Sequence, residues 1–308
     1  MLLLLGIIPL PDEPNWESEA GFYSTGLAIA DYDGDGSFEL FVGEGNDMAS
    51  EPNHLYRPPQ ASAIWSSSDS RYSTHAVASD LNLDGWPDAV LSNYISSGWD
   101  GEKNAVYWNQ GGSLSQSPAL FSETDHSFTP AAGDLNGDGL PEVVFACGEA
   151  YNSINEPSKV YLNQGDTFSL WWQSPPQTAY CPKLADINGD GWLDLVLAGE
   201  GMPLQVYYNQ GGSLPTSPSW ESESTLWALS LALGDVDGDG WVDVAVAENG
   251  QLNGGRSAIY LFKNQGGELE REPSWSYSGG GRYYSTVALG DLNGDCLLYT
   301  SPSPRDRG

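Results

Sequence analysis

Carboxylate side chains recur along this chain in short loops with one internal spacing. Residues 234–249 read GDVDGDGWVDVAVAEN and, with Asp235 as position 1, side-chain oxygens fall at positions 1, 3, 5 and 9. Gly240 at position 6 allows a sharp turn that returns position 9 toward the others. Alternate oxygens that converge in a tight loop can enclose a hard cation.

Five complete copies carry this ligand set, and the backbone carbonyl of position 7 is available to complete it. Six or seven oxygen ligands without histidine or cysteine favour Ca²⁺ over Zn²⁺ or Cu²⁺, and over Mg²⁺, which needs a stricter octahedron. We therefore predict about five calcium sites, one in each complete copy. The predicted ligands are Asp31, Asp33, Asp35, Ser37 and Glu39; Asp80, Asn82, Asp84, Trp86 and Asp88; Asp134, Asn136, Asp138, Leu140 and Glu142; Asp186, Asn188, Asp190, Trp192 and Asp194; and Asp235, Asp237, Asp239, Trp241 and Asp243.

Two other interpretations of these loops are weaker. An EF-hand shares the first half of the pattern but needs flanking helices and a bidentate glutamate at position 12. The flanks here are strand-like, and position 12 holds Val42, Leu91, Phe145, Leu197 and Val246. Simple polar Asx turns would explain one copy but not five with complete ligand sets.

The loops belong to a repeat of about fifty residues that must position them. Each complete loop lies between two short apolar runs, and an aromatic run such as VYWNQGG and a tryptophan segment follow. Four short β segments with Asn-Gly and Gly-Gly turns indicate one blade of a β-propeller. A blade cannot bury both faces alone, so we predict an all-β propeller of about five complete blades and partial ones, a truncated six- or seven-bladed ring. The six loops begin at Asp31, Asp80, Asp134, Asp186, Asp235 and Asp291.

Tryptophans recur at a fixed distance from the loops. Trp16, Trp65, Trp171 and Trp220 each precede the next loop by 15 residues, and Trp275 precedes it by 16. A constant offset predicts a framework role in the outer strands, rather than a binding surface.

The net charge of −31 excludes nucleic acid and anionic membrane surfaces as partners, because both would be repelled. The loops hold 19 of the 42 acidic residues, so bound cations would neutralise much of the excess. No apolar stretch reaches the length of a membrane span. The three histidines fall in different repeats, and no motif of a nucleophile or catalytic metal occurs.

The segments DLNGDGLPEVVFACG, DINGDGWLDLVLAGEG and DVDGDGWVDVAVAENG resemble FG-GAP (VCBS-type) repeats, which build the propeller of integrin α-subunits and of many secreted microbial proteins. The resemblance implies calcium in the hairpin between the first two strands of each blade, an extracellular setting, and adhesion or glycan binding. Such repeats also accompany polysaccharide-degrading enzymes. The third strands end in YxNQGG turns instead of the Gly-Ala-Pro phrase of integrins, so integrin ligands are not carried over.

The ends of the chain depart from the repeat. Residues 1–13 begin with the apolar run MLLLLGIIPLP and indicate a clipped signal or the edge of a fragment, whereas residues 14–295 form the repeats. The sixth loop breaks after GDLNGD, and CLLYTSPSPRD resembles the translation of a sequencing-library adapter. We therefore expect residues 296–308 to be a non-native tail.

The face opposite the carboxylate loops differs in every copy. It offers aromatic, amide and carboxylate groups, which suit a sugar or a peptide side chain. Cys147 and Cys181 fall on this face at adjacent strand ends, and they form either a disulfide that staples two blades or two buried thiols. The predicted ligand-face residues are Asn93, Tyr94, Trp99, Glu149, Tyr151 and Asn152.

These observations predict an extracellular calcium-binding propeller that serves as a binding or adhesion module for a glycan or a cell-surface protein, within a longer multidomain protein. The alternative is a propeller-type polysaccharide lyase or hydrolase, or the non-catalytic propeller of such an enzyme. The scarcity of Arg, Lys and His for a catalytic cluster, 14 residues in all, weighs against catalysis.

Overall fold

The computed structural model describes residues 14–19, 21–46, 49–94, 101–150, 153–250, 257–278 and 283–290. Within these ranges every regular element is a β-strand, and none of these residues forms a helix long and apolar enough to cross a membrane. The predicted terminal segments, residues 1–13 and 296–308, lie outside the described ranges.

The first three blades are separate four-stranded antiparallel sheets, each with its strands in chain order. In each sheet the first strand lies nearest the axis and the fourth lies outermost, and the acidic loop joins the first and second strands. The strands are β1 (Ser24–Ala30), β2 (Glu39–Glu44), β3 (His54–Tyr56) and β4 (Trp65–Ser66); β5 (Ser73–Ser79), β6 (Asp88–Asn93), β7 (Glu102–Tyr107) and β8 (Ala119–Asp125); and β9 (Ser127–Gly133), β10 (Glu142–Cys147), β11 (Lys159–Asn163) and β12 (Phe168–Gln173).

The fourth and fifth blades share the long strand β15 and so form one six-stranded sheet. The first part of β14 pairs with β13, its second part pairs with the start of β15, and the end of β15 pairs with β16. Each long strand therefore spans two positions of the repeat. The strands are β13 (Ala179–Ala185), β14 (Asp194–Tyr207), β15 (Trp220–Gly234), β16 (Asp243–Glu248), β17 (Ala258–Phe262) and β18 (Trp275–Tyr277).

The blades stack around an axis through their inner strands. β1 contacts β5, β5 contacts β9, β9 contacts β13, and β13 contacts β15. Adjacent residues of a second strand point to opposite neighbours: Val143 and Phe145 pack in one interblade core, and Val144 and Ala146 in the next. This explains why β10 is buried along its whole length without a period-two pattern. The predicted all-β propeller of four-stranded blades is confirmed.

The outer strands carry the tryptophan framework, with one correction in the third blade. The indole N–H of Trp65 donates to Leu114 O of the next blade, and Trp220 makes the same bond to Leu269 O. In the third blade Trp172, and not the predicted Trp171, donates to the next blade. A register shift in the pairing of β11 with β12 adds one residue there and moves the framework position by one.

Candidate metal centres and ligand face

The first carboxylate of each of the five described acidic loops accepts hydrogen bonds from the loop backbone. In the first blade Asp31 Oδ1 accepts a bond from Gly34 N at 2.7 Å, and Oδ2 accepts one from Gly36 N at 2.9 Å. Gly36 at position 6 has a φ of 85°, which a side chain would strain. The remaining four loops repeat the bond to position 6 at 2.8–2.9 Å. All five loops thus have one conformation.

The carboxylate at position 9 is buried in all five loops. Glu39, Asp88, Glu142, Asp194 and Asp243 have no exposed surface. Each accepts a bond from the N–H of position 2, as Asp194 Oδ2 does from Ile187 N at 2.9 Å. Burial raises the pKa of Asp88, Asp194 and Asp243 to about 6, and that of Glu142 to about 7. A cation bound in the loop would favour the ionised form of these groups.

The donor set fits a hard divalent cation. In the first blade Asp31, Asp33 and Glu39 each bring one carboxylate oxygen within 4.8 Å of the others, and Asp235, Asp237 and Asp239 do so in the fifth. Asp237 Oδ1 is buried without a hydrogen-bond partner, so it is free to coordinate. The other three loops have asparagine at position 3, and its oxygen is also a calcium ligand.

The YxNQGG turns tie each loop to the one before it, which the sequence analysis missed. Asn209 Nδ2 donates to Leu193 O in its own loop at 3.1 Å and to Leu135 O in the preceding loop at 2.7 Å. Asn109, Asn163 and Asn264 make the same pair of bonds in their blades. The recurrence of NQG at the end of the aromatic run in four successive repeats was the available signal.

The tryptophans at position 7 also cross between blades. Their side chains cover position 4 of the preceding loop so closely that a Cβ added there would lie 2.6–2.8 Å from the indole. Only glycine fits beneath these rings. The contacts are Trp86 on Gly34, Trp192 on Gly137 and Trp241 on Gly189.

Three of the predicted ligand-face residues are in fact buried. Asn93 ends β6, where its side chain bonds to Lys103 O and Ser73 Oγ, and it has no exposed surface. Tyr94 is 4% exposed and packs between the rings of His126 and Phe128, and Glu149 is 1% exposed. Asn93 is the last residue of β6, while Tyr94 and Glu149 lie just beyond the second strands, where their backbones bond to Tyr72 and Ile154. Trp99, Tyr151 and Asn152 lie outside the described residues, and for them the prediction stands untested.

Cys147 and Cys181 are free, buried thiols, so the disulfide alternative is wrong for this structure. Cys147 packs in the core between the second and third blades, whereas Cys181 packs between the fourth and fifth. Cys181 Sγ donates to Leu229 O at 2.7 Å, toward the fifth blade. The two cysteine side chains therefore pack in different interblade cores.

The three histidines have separate partners. His54 stacks on Phe22, with ring centroids 4.7 Å apart, and His126 Nδ1 lies 2.9 Å from Glu156 Oε1. His75 Nδ1 lies 3.0 Å from Phe128 O near the axis. No two of them form a joint site.

An open pocket of about 480 Å³ lies on the face opposite the acidic loops. It is at the junction of the third, fourth and fifth blades, where the inner strands begin. Glu200 Oε2 is buried there without a hydrogen-bond partner, and burial together with the nearby Glu149 raises the pKa of Glu200 to about 7. Trp227 is half-buried. The lining residues are Ala150, Ser153, Asn155, Thr178, Glu200, Gly201 and Trp227.

Comparison with known proteins gives one family and several structural likenesses. The model of the FG-GAP-like repeat matches residues 80–145, 186–246 and 235–299. No curated protein matches the sequence.

The solved structures that resemble this chain share its fold at low sequence identity. The complex of BBS1N with ARL6DN, soaked with lead, aligns with a TM-score of 0.57 and 10% identity over 92% of this chain and 76% of that one. The mercury-soaked form aligns with a TM-score of 0.54 and 11% identity over 85% and 70%. A rhamnogalacturonan lyase, YesW, aligns with a TM-score of 0.54 and 13% identity over 82% of this chain and 52% of the lyase.

Proposed function

Since the chain belongs to the FG-GAP-like repeat family, we propose that it is an extracellular, calcium-stabilised β-propeller that binds a glycan or a protein ligand. The observation that carries the proposal is that all five described loops repeat one hydrogen-bonded turn around a buried position-9 carboxylate. A loop that served only as a turn would not need to bury its position-9 carboxylate in every copy.

Calcium would act here on stability. The converging carboxylates repel one another without a cation, and a ligand that binds only the folded chain stabilises it by RT ln(1 + [L]/Kd). Asn209 donates to backbone carbonyls of two neighbouring loops, so a loop that calcium orders would also stabilise the loop beside it.

Melting experiments test the calcium proposal. Excess chelator should lower the melting temperature, and Ca²⁺ should restore it more fully than Mg²⁺ at the same concentration, because Mg²⁺ keeps its waters and requires a stricter octahedron. An unchanged melting temperature in excess chelator would refute the calcium proposal.

The ligand would bind at the pocket of Glu200 and Trp227. An indole face packs on the apolar face of a sugar, and Glu200 Oε2, which has no hydrogen-bond partner, could accept a hydrogen bond from a hydroxyl or amino group. Thr178 and Asn155, whose side chains bond to each other at 2.9 Å, add further polar groups at the rim. A protein neighbour of this fold, BBS1N, is in complex with a partner protein, which supports a binding role.

Variants at the pocket test this placement on a glycan and peptide array. Trp227→Ala and Glu200→Gln should each lose at least tenfold in affinity for whichever probe the wild type binds, as expected when an anchor residue is removed. The control is Tyr208→Ala, a half-buried aromatic on the acidic-loop side of the same blade. Equal binding by the wild type and both pocket variants would refute the placement.

A polysaccharide lyase or hydrolase, or the non-catalytic propeller of such an enzyme, is the second candidate. The likeness to the rhamnogalacturonan lyase and the raised pKa of Glu200, which suits proton transfer near neutral pH, favour it. Incubation with rhamnogalacturonan, followed by ultraviolet absorbance for unsaturated products and reducing-sugar assay for hydrolysis, tests it. Turnover that Glu200→Gln abolishes would support catalysis, and absence of both products would reject it.

A further inference from the structure

One position at the end of each third strand is equivalent in all five described blades. It follows the aromatic residue that pairs with loop position 10, as Tyr56 pairs with Leu40 and Phe262 pairs with Val244. This register makes five residues equivalent. They are Arg57, Trp108, Leu162, Tyr208 and Lys263, in blade order.

The charge at this position follows the charge at loop position 3. The first and fifth blades have a cation, Arg57 or Lys263, and aspartate at position 3. The second, third and fourth blades have an uncharged residue and asparagine at position 3. Every loop together with this residue therefore carries the same formal charge of −3, either as three carboxylates or as four carboxylates and one cation.

The two cations contact the loop carboxylates directly. Arg57 donates to Asp33, its Nε lies 2.9 Å from Glu39 Oε1, and its Nη1 lies 3.6 Å from Asp35 Oδ2. Lys263 Nζ lies 2.5 Å from Asp237 Oδ2. Arg57 thus reaches three of the four carboxylates of its loop, among them the fully buried Glu39.

We infer that Arg57 and Lys263 are internal counter-cations that set the calcium affinity of the first and fifth loops. Each offsets the fourth carboxylate, holds the loop in shape without metal, and lowers calcium affinity to the range of the three-carboxylate loops. The inference rests on the proposed calcium binding. It divides the sites into two classes. The loops of the second, third and fourth blades depend on the metal for their conformation, and the loops of the first and fifth blades depend on it less.

A charge cycle in the first blade tests the inference. Arg57→Gln should lower the melting temperature in chelator and raise the calcium affinity of one site by on the order of tenfold, the effect of a unit charge a few ångströms from a divalent ion in a water-like dielectric. Asp33→Asn should weaken that site. The double variant has three loop carboxylates and no cation, like the three middle loops. Its melting temperature in chelator and its calcium affinity should both return toward the wild-type values. Lys263→Gln and Asp237→Asn provide the same cycle in the fifth blade.

The control is Arg71→Gln. Arg71 makes two ion pairs, with Asp69 and Glu102, at the opposite end of the blade. Its loss should lower the melting temperature without changing calcium affinity. Calcium is titrated against a chromophoric chelator, and melting is followed by circular dichroism.

The outcomes separate this inference from the proposed function. If the wild type binds no calcium, the function proposal fails, while the chelated melting temperatures of the cycle still test the ion pairs. If the wild type binds calcium and Arg57→Gln weakens or does not change that binding, the counter-cation role is overturned.

Discussion

The asparagine that links neighbouring loops offers the sharpest test of how the blades are held together. Asn209 is 2% exposed and makes four side-chain hydrogen bonds: Nδ2 donates to Leu135 O and Leu193 O, and Oδ1 accepts from Gly212 N and Ser213 N. Asn209→Ala removes all four. Its backbone bond to the Asp194 carboxylate remains, so the acidic loop itself keeps that contact.

The magnitude follows from those four contacts. At about 1 kcal/mol for each hydrogen bond, the loss is about 4 kcal/mol. Water that enters the vacated space can satisfy some of the stranded carbonyl and N–H groups, so we expect a decrease of about 2–4 kcal/mol in the free energy of unfolding. For a chain of 308 residues the melting temperature should fall by roughly 3–6 °C.

Urea unfolding and thermal melting, each with calcium and with chelator, measure the effect. Gln210→Ala is the matched control, because Gln210 is the next residue in the same turn and is exposed. It should change the free energy of unfolding by less than about 0.5 kcal/mol. If Asn209→Ala is as stable as Gln210→Ala, the bridge does not hold the blades and the reasoning fails.

Three further expectations concern single side chains. The folded-state pKa of Glu200, about 7, lies above its unfolded value, so folding becomes less favourable as pH rises toward and through 7 and the buried carboxylate ionises. Glu200→Gln should therefore raise the free energy of unfolding at pH 8 and not at pH 4. Urea titrations at both pH values measure this. Burial raises the pKa of the Cys147 and Cys181 thiols, so neither should react with a thiol reagent until the chain unfolds, and rapid labelling of the native protein would contradict their placement. Trp172→Phe removes an interblade hydrogen bond and should cost about 1–3 kcal/mol in urea unfolding, whereas a larger cost for Trp171→Phe would reverse the corrected register.

The repeated elements were predictable because the sequence states them five times. A glycine at position 6 in each of the five complete loops indicated the turn, and the structure has a positive φ at each of these glycines, as at Gly36. Apolar runs on both sides of each loop predicted the strand pairs. Errors that affect one copy cancel when five copies are compared.

The failures concern single copies. Trp171 matched the offset of the other tryptophans, but one extra residue in the outer strand makes Trp172 the equivalent side chain, and a bulge leaves no clear mark in composition. Asn93 and Tyr94 are polar or amphipathic side chains at a strand end, and the sequence does not show whether a neighbouring blade covers them. The role of Arg57 became visible only when strand pairing placed it opposite Glu39.

The bridging asparagines also give the chain a direction. Each reaches back to the loop of the preceding blade and none of the described ones reaches forward, so a blade can complete these bonds only when its N-terminal neighbour is already in place. On a ribosome the N-terminal neighbour is the first to emerge. Pro58 replaces the asparagine in the first blade, which therefore closes without waiting for an earlier loop. The direction of these bonds therefore suits synthesis from the N-terminus, because each donor asparagine is made after the loop whose carbonyl accepts its bond.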